Sequence, residues 1–321
     1  MKSSFPIVSK GHSMTSIMTN NSATVALQAL RGINREMEAS QSRIATGHKV
    51  DSAKDNAAIF SVATTMRSDV KSLNTVGSML GVGQAKVDVA GAGTDSAIST
   101  ITKMKELLVS AKETGADKVK VQGQIAALQS QLVSTAQSAS FDGVNMLYKA
   151  ATGTASAAVQ NITASIGRDA SGGVNTTTIS VDTADTMLID AGTAANGILS
   201  QSRTGTNSGS YSVAGGSANI ALTSSTTSAQ LDDMIEAVTS ALADMSESSS
   251  MLGTVSAGID SQGDFVKALT ASLNKGISSL VDTDMEEESA KLTALQARQQ
   301  LAVHALSIAN DNSSYILQLF R

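Results

Sequence analysis

The chain has no cysteine, no tryptophan and a single proline, Pro6, in 321 residues. Without cysteine there is no disulfide framework, no thiol chemistry and no thiolate-ligated metal site. Three tyrosines and five phenylalanines are too few to anchor a compact globular core, which favours thin helical bundles with aliphatic seams. From Ile7 to Arg321 no proline interrupts a helix. Strong positive charge is missing too. The formal net charge is −5, no Lys/Arg cluster stands out and stacking aromatics are scarce, which excludes a nucleic-acid groove. No apolar run reaches the roughly 18 residues that a membrane-spanning helix needs. At the start, Lys2 and Lys10 flank only Phe5-Pro6-Ile7-Val8, too short an apolar stretch for a cleaved secretory signal.

What the sequence does have is heptads, and the clearest lie at its two ends. Near the amino end the slots are Ala23, Ala26, Leu30, Ile33, Met37, Ser40 and Ile44. Near the carboxyl end they are Leu292, Leu295, Gln299, Ala302, Leu306, Ala309, Ser313, Ile316 and Phe320. Both keep a 3-4 alternation, the mark of helices that bury a narrow stripe against other helices. Two longer series lie inside them, Ile59 to Leu108 and Leu231 to Leu280, and a third helix is expected from about Lys118 to Ala139. In the first long series Gly77 and Gly91 occupy slots and read as soft spots.

The phase breaks twice, at Gly47–Asp51 and across Val281–Ser289, and an antiparallel pairing brings these breaks to about the same height. At the first break Asp51 and Ser52 are placed to cap the restarting helix, with Lys54 and Asp55 as charged groups beside Gly47. At the second, Thr283 and Glu286 have capping-box spacing.

Residues 151–230 differ. Of these eighty residues 27 are Ser or Thr, none is Lys or Glu, and stretches such as Thr176 to Val181 and Tyr211 to Val213 alternate like strands between turns. The expected fold is mainly α: a long antiparallel helical bundle or coiled-coil rod with a small β-rich insertion at its tip. Four parts follow: 1–13 as a leader or mis-called start, 14–46 with 282–321 as a terminal coiled coil, 47–150 with 231–281 as a helical rod, and 151–230 as a variable outer domain. The outer domain adds no heptad slot, so it is expected to be removable.

Catalysis finds little support. His12, His48 and His304 form no Ser/His/Asp set and no paired-His metal spacing, so no catalytic, cofactor or metal site is assigned. Gly81-Val-Gly83 and Gly91-Ala-Gly93 do not complete a phosphate-binding glycine motif and fall inside a helical pattern.

Three stretches together resemble bacterial flagellin of the alphaproteobacterial type. One is Met14 to Asn20 with Ala26, Leu27 and Leu30. The second is Ser42-Arg43-Ile44-Ala45-Thr46-Gly47 followed by Val50 to Ala58. The third is Ser140 to Leu147, and the carboxyl end from Glu286 through Gln299 to Arg321 is similar as well. The resemblance implies a structural subunit of the extracellular flagellar filament, secreted through the flagellar type III apparatus and used for swimming. It implies a homopolymer as the main partner, with an export chaperone and hook-associated and cap proteins besides. On this reading the terminal heptad slots are the assembly interface, and Gly47, Asp51, Ser52, Lys54 and Asp55 are a joint. Two other readings share the same ends, a hook–filament junction protein and a glycan-binding surface adhesin. The first is disfavoured by the close match around Gly47. The second is disfavoured because Tyr211 is the only aromatic in 151–230.

Overall fold

In a computed structural model the chain is described at residues 20–151, 159–168 and 173–319. Residues 1–19, which include the leader and Met14, lie outside the described residues.

Five helices dominate: α1 Asn21–Thr46, α2 Ala57–Ser110, α3 Lys118–Ser138, α4 Ser228–Val281 and α5 Met285–Leu319. Each begins at a recognisable cap. The Asn20 carboxamide accepts from the Ala23 N–H at 3.0 Å, and the Asp117 carboxylate accepts from Lys120 at 3.2 Å. Thr227 and Gln230 form a reciprocal capping box before α4, at 2.8 and 3.3 Å.

The contacts divide the chain into two compact units. One comprises residues up to Arg67 and from Asn274 onward, the other Ser68–Leu273. In the second unit α2 and α4 run antiparallel. Gln84 donates to Ser256 at 2.6 Å, Ser249 to Asp95 at 3.3 Å, and Lys112 pairs with Asp232 at 2.6 Å. The buried face of α2 is Leu73, Val76, Leu80, Gly83, Val87, Ala90, Thr94, Ala97, Ile101, Met104 and Leu108. That is an unbroken 3-4 alternation which shares every second slot with the expected series and takes the other one residue earlier. Gly77 is therefore an exposed position in a continuous helix, and Val76 holds the core slot. The shift has a cause. A helix covered by more than one neighbour buries a wider stripe than a two-stranded seam, so adjacent positions compete for the centre.

The neighbours are α3, through Ile125, Leu132 and Ala136, and the eight short strands. Strands β1 Ser140–Phe141 and β2 Val144–Asn145 form a hairpin. Its two-residue turn puts Asp142 at φ 51° and Gly143 at φ 73°, the left-handed pair that matches strand twist. The others are β3 Tyr148–Lys149, β4 Gln160–Arg168, β5 Val174–Val181, β6 Ile189–Asp190, β7 Arg203–Thr204 and β8 Ser210–Tyr211. Among the described residues the sheets are two-stranded: β4 pairs antiparallel with β5, β3 parallel with β6, and β7 antiparallel with β8.

The β-rich segment shares the helical core. Ile162, Val181, Leu188, Leu199, Val213 and Ile220 belong to one apolar cluster with α2, α3 and α4. The two glycine pairs inside α2 mark the approach. A β-carbon on Gly83 would lie 2.5 Å from Ile162 Cγ2, and one on Gly93 would lie 2.6 Å from Leu147 Cδ1. Gly83 admits β4 and Gly93 admits Leu147 and Ala139, while Gly81 and Gly91 face open space.

Two carboxylates organise the loops. The Asp190 side chain is fully buried and accepts from the Gly192 and Thr193 amides at 2.8 and 2.9 Å, from Lys149 at 3.2 Å and from Asn196 at 3.3 Å. Burial pushes its carboxyl up, but the hydrogen bonds together outweigh that and hold it below the usual range. Asp233, at the start of α4, accepts from the Asn207 and Gly209 amides at 2.8 and 2.9 Å, which ties the β7–β8 turn to the helix. The Asn207 amide is the main reason that its carboxyl is also held down.

Candidate assembly surface

The surface belongs to the first unit, where α1 and α5 pair antiparallel. The Asn20 side chain donates to the Ala309 carbonyl at 2.8 Å, Gln299 donates to the Asn34 side-chain oxygen at 2.8 Å, and Ser40 donates to the Glu288 carbonyl at 3.4 Å. The expected slots form this seam. Ala23, Ala26, Leu30, Ile33, Met37 and Ile44 are half-buried and Ser40 is buried. Opposite them Leu292, Gln299, Ala302, Leu306 and Ala309 are half-buried and Leu295 is buried. The side chain of Ile316, and Phe320, lie outside the described residues. Glu288 adds a slot one step before Leu292. It is 6% exposed, with Arg43 at 3.8 Å and Lys291 at 3.9 Å. Its sequence neighbourhood of three glutamates marks a helix start and hides that this one points inward.

A two-helix seam covers only one side of each helix. Leu301 is 67% exposed and Ile308 70% exposed; they are seven residues apart and so share a face of α5. Val303 and, on α1, Val25 and Leu27 are exposed as well. Together these place uncovered apolar side chains along both terminal helices.

The joint lies at the end of this seam. Gly47 ends α1 in the left-handed conformation, φ 73°, with its N–H bonded to the Arg43 carbonyl at 2.8 Å. The next residue meets the opposite strand. His48 and Asp282 form an antiparallel bridge, with imidazole Nδ1 3.0 Å from the Asp282 carboxylate. Around it Lys49 N–H donates to the Val281 carbonyl at 2.7 Å and Thr283 N–H to the Gly47 carbonyl at 3.0 Å. Val50 and Val281 are buried there.

The caps differ from the expected ones. Asn56, not Asp51 or Ser52, caps α2, its side-chain oxygen accepting from Ala58 and Ile59 at 3.1 and 3.2 Å. Asp51 and Ser52 instead donate their amides to the Asp55 carboxylate at 3.2 and 2.9 Å, and the Ser52 hydroxyl donates to it at 3.0 Å. The Ser52 bonds hold the Asp55 carboxyl below its usual range. Lys54 is exposed. At the other break Asp284, not Thr283, caps α5 by accepting from Glu286 and Glu287 at 2.9 and 3.3 Å.

The two connectors are unequal. Residues 47–56 separate α1 from α2, but only 282–284 separate α4 from α5. His48 faces Asp282, and beyond the joint Met66 approaches Gly276, where a β-carbon would lie 3.9 Å from its Cε. Nineteen residues of one strand (48–66) therefore accompany seven of the other (276–282).

Among the described residues no His/Asp/Glu group is placed to hold a metal ion, and no helix is long and apolar enough to cross a membrane. Long helices with half-covered seams at the two ends of a chain define a self-associating helical protein. The comparisons say which kind. Residues 17–152 match the bacterial flagellin N-terminal helical region, and residues 235–320 match the bacterial flagellin C-terminal helical region. Flagellin C of Rhizobium meliloti (strain 1021) is 44% identical over 96% of this chain and 100% of its own length. Flagellin A of that strain is 37% identical and a flagellin of Brucella melitensis biotype 1 is 36% identical, both over the same shares. The chain belongs to the bacterial flagellin family, and is a structural subunit of the flagellar filament rather than an enzyme.

Proposed function

We propose that α1 and α5 together are the surface through which copies of this chain polymerise, with Ala23 to Ile44 and Leu292 to Phe320 as the paired seam. On this reading 14–46 with 282–321 is the innermost part of the filament, 47–150 with 231–281 surrounds it, and 151–230 lies outermost. The observation that carries it is the exposure of Leu301 and Ile308 beside a seam that is itself half-buried. Covering two such side chains in a neighbour contributes roughly 1.5–3 kcal/mol each. Residues 47, 51, 52, 54 and 55 act as the joint that fixes how α1 leaves the seam. The flagellar export apparatus, an export chaperone, and hook-associated and cap proteins are the further partners that family membership supports, with the exterior of the cell as the destination.

The test is seeded growth followed by light scattering. Removing 292–321 should abolish polymerisation while the Ser68–Leu273 unit keeps its melting transition. The double change Leu301→Ser and Ile308→Ser should raise the subunit concentration needed for growth at least tenfold, by the burial figure above. Growth of the truncated chain at the parental rate rejects the proposal.

A further inference from the structure

At the middle of the α1–α5 seam one helix meets the other through a side chain-to-side chain hydrogen bond. Gln299 occupies a heptad slot, and its Nε2 donates to Asn34 Oδ1 at 2.8 Å. Asn34 follows the slot residue Ile33, and both amides are half-buried. The rest of the central seam is nearly degenerate along its length. Ala23, Ala26, Ala302 and Ala309 alternate with Leu30, Leu292, Leu295 and Leu306, so moving one helix by a heptad sets apolar residues opposite apolar residues again. The slip that brings Leu295 opposite Leu30 separates the two amides and sets Asn34 against Leu292 and Gln299 against Ala26, both aliphatic. A polar pair set among apolar slots is a known way to select one register at some cost in stability, and here it sits at mid-seam, away from the Ser40 and Glu288 contacts at the joint end.

A second constraint acts on the same register, the His48–Asp282 bridge with its short 282–284 connector. It ties α1 to α5 within one chain only. Helices of different copies share no connector and have only their side chains to align them.

We propose that Asn34 and Gln299 are register-determining residues, able to align α1 with α5 without help from the joint. The proposal deepens the filament reading, because a register written on the helix faces is available between copies as well as within one. The pair positions the seam and is not required for its strength. Replacing both amides with leucine removes two polar groups together, which leaves the seam at least as stable as before.

The test uses the full chain, whose lack of cysteine makes engineered disulfides unambiguous. Cysteines at Leu30 and Ala302 report the observed register, which runs between the Asn20–Ala309 and Asn34–Gln299 contacts. Cysteines at Leu30 and Leu295 report the slip of one heptad that sets both amides against aliphatic residues. Each pair is placed in four backgrounds: the parent, an eight-residue Gly/Ser insertion between Thr283 and Asp284 that relaxes the joint, Asn34→Leu with Gln299→Leu, and both changes combined. Oxidation rates are measured on the soluble chain, so the result does not depend on polymerisation. With the insertion alone, the in-register pair should link at least about fivefold faster than the slipped pair, the preference one net hydrogen bond supplies. With the insertion and both leucines, the ratio should fall below about two. Melting of the leucine variant should not drop below the parent, which separates a positioning role from a stabilising one. The proposal is overturned if the insertion alone scrambles the register, or if the combined variant still links only in register. Failure of seeded growth with this pattern intact would count against the filament surface and leave the register assignment standing.

Discussion

Ile162 lies across Gly83 so closely that a β-carbon on the glycine would stand 2.5 Å from its Cγ2 and 3.0 and 3.1 Å from its other branch. Two turns of helix are not needed to find the contrast: Gly81, two residues earlier, has nothing within 4 Å of the same ideal position.

Gly81→Ala should therefore stabilise the Ser68–Leu273 unit by roughly 0.5–1 kcal/mol, the ordinary helix-propensity gain. Gly83→Ala should destabilise it by about 1–3 kcal/mol, because three atoms of a branched side chain must shift and their displacement outweighs that gain. Urea melts of the two variants check this, and a stabilised Gly83→Ala would show that β4 yields easily.

Deleting 151–230 should expose core. Leu147, Ile125 and Met245 pack in the cluster that also holds Ile162, Leu199 and Ile220. A short Gly/Ser link in place of the segment should lower the midpoint of the Ser68–Leu273 unit substantially, where the sequence pattern alone predicts no effect. Circular dichroism melts decide between the two, and an unchanged midpoint means that the helices close over the gap.

Acid should act on the same unit. Asp190 and Asp233 both have carboxyls held below their unfolded value, near 3.9 for a free Asp. Their sign is fixed: the stability they contribute is present above the unfolded value and is lost as pH falls through the lower, folded one. The urea midpoint should stay level from neutral pH to about 5 and decline below about 4. Asp233→Asn, which cannot ionise but keeps one acceptor oxygen for the Asn207 and Gly209 amides, should be less stable at neutral pH and show a shallower decline. An equally steep decline in that variant would assign the acid sensitivity elsewhere.

Gly47→Val should separate folding from assembly. The left-handed φ of 73° excludes a β-branched residue, yet nothing crowds the position itself. The variant should melt within a few degrees of the parent in the Ser68–Leu273 unit, and should fail to polymerise or give filaments of altered curvature in electron micrographs. Unchanged filaments would mean that Gly47 is only a connector.

The terminal seam was legible because both stripes hold a strict alternation and each face has one covering partner. Every slot residue from Ala23 to Ile44 is at least half-buried. In α2 the alternation predicts slots at Leu73, Leu80 and Leu108, which are buried, and at Gly77, where Val76 holds the core instead, since a pattern on one helix does not reveal how many neighbours cover it. The observed caps lie one to five residues after the expected ones because Asp, Ser, Thr and Asn crowd both breaks, and any of them can accept from a helix N-terminus. Asn56 and Asp284 win by standing directly before the first turn. Contacts such as His48–Asp282 and Asn34–Gln299 join residues more than 230 positions apart, beyond the reach of any local pattern. The β-rich segment shows its strands in the sequence, but not that Gly83 is bare where Ile162 of β4 packs.

The unequal connectors shape how force crosses the joint. Tension along α5 reaches α4 through three residues, 282–284, with no slack to take up. Tension along α1 meets the opposite strand first, at residues 47–50, where backbone bonds join Lys49 to Val281 and Thr283 to Gly47, and only beyond that tie does it reach the Asp55 turn and α2. A pull on either terminal helix therefore arrives at one crossing, where three residues link α4 to α5 and ten link α1 to α2.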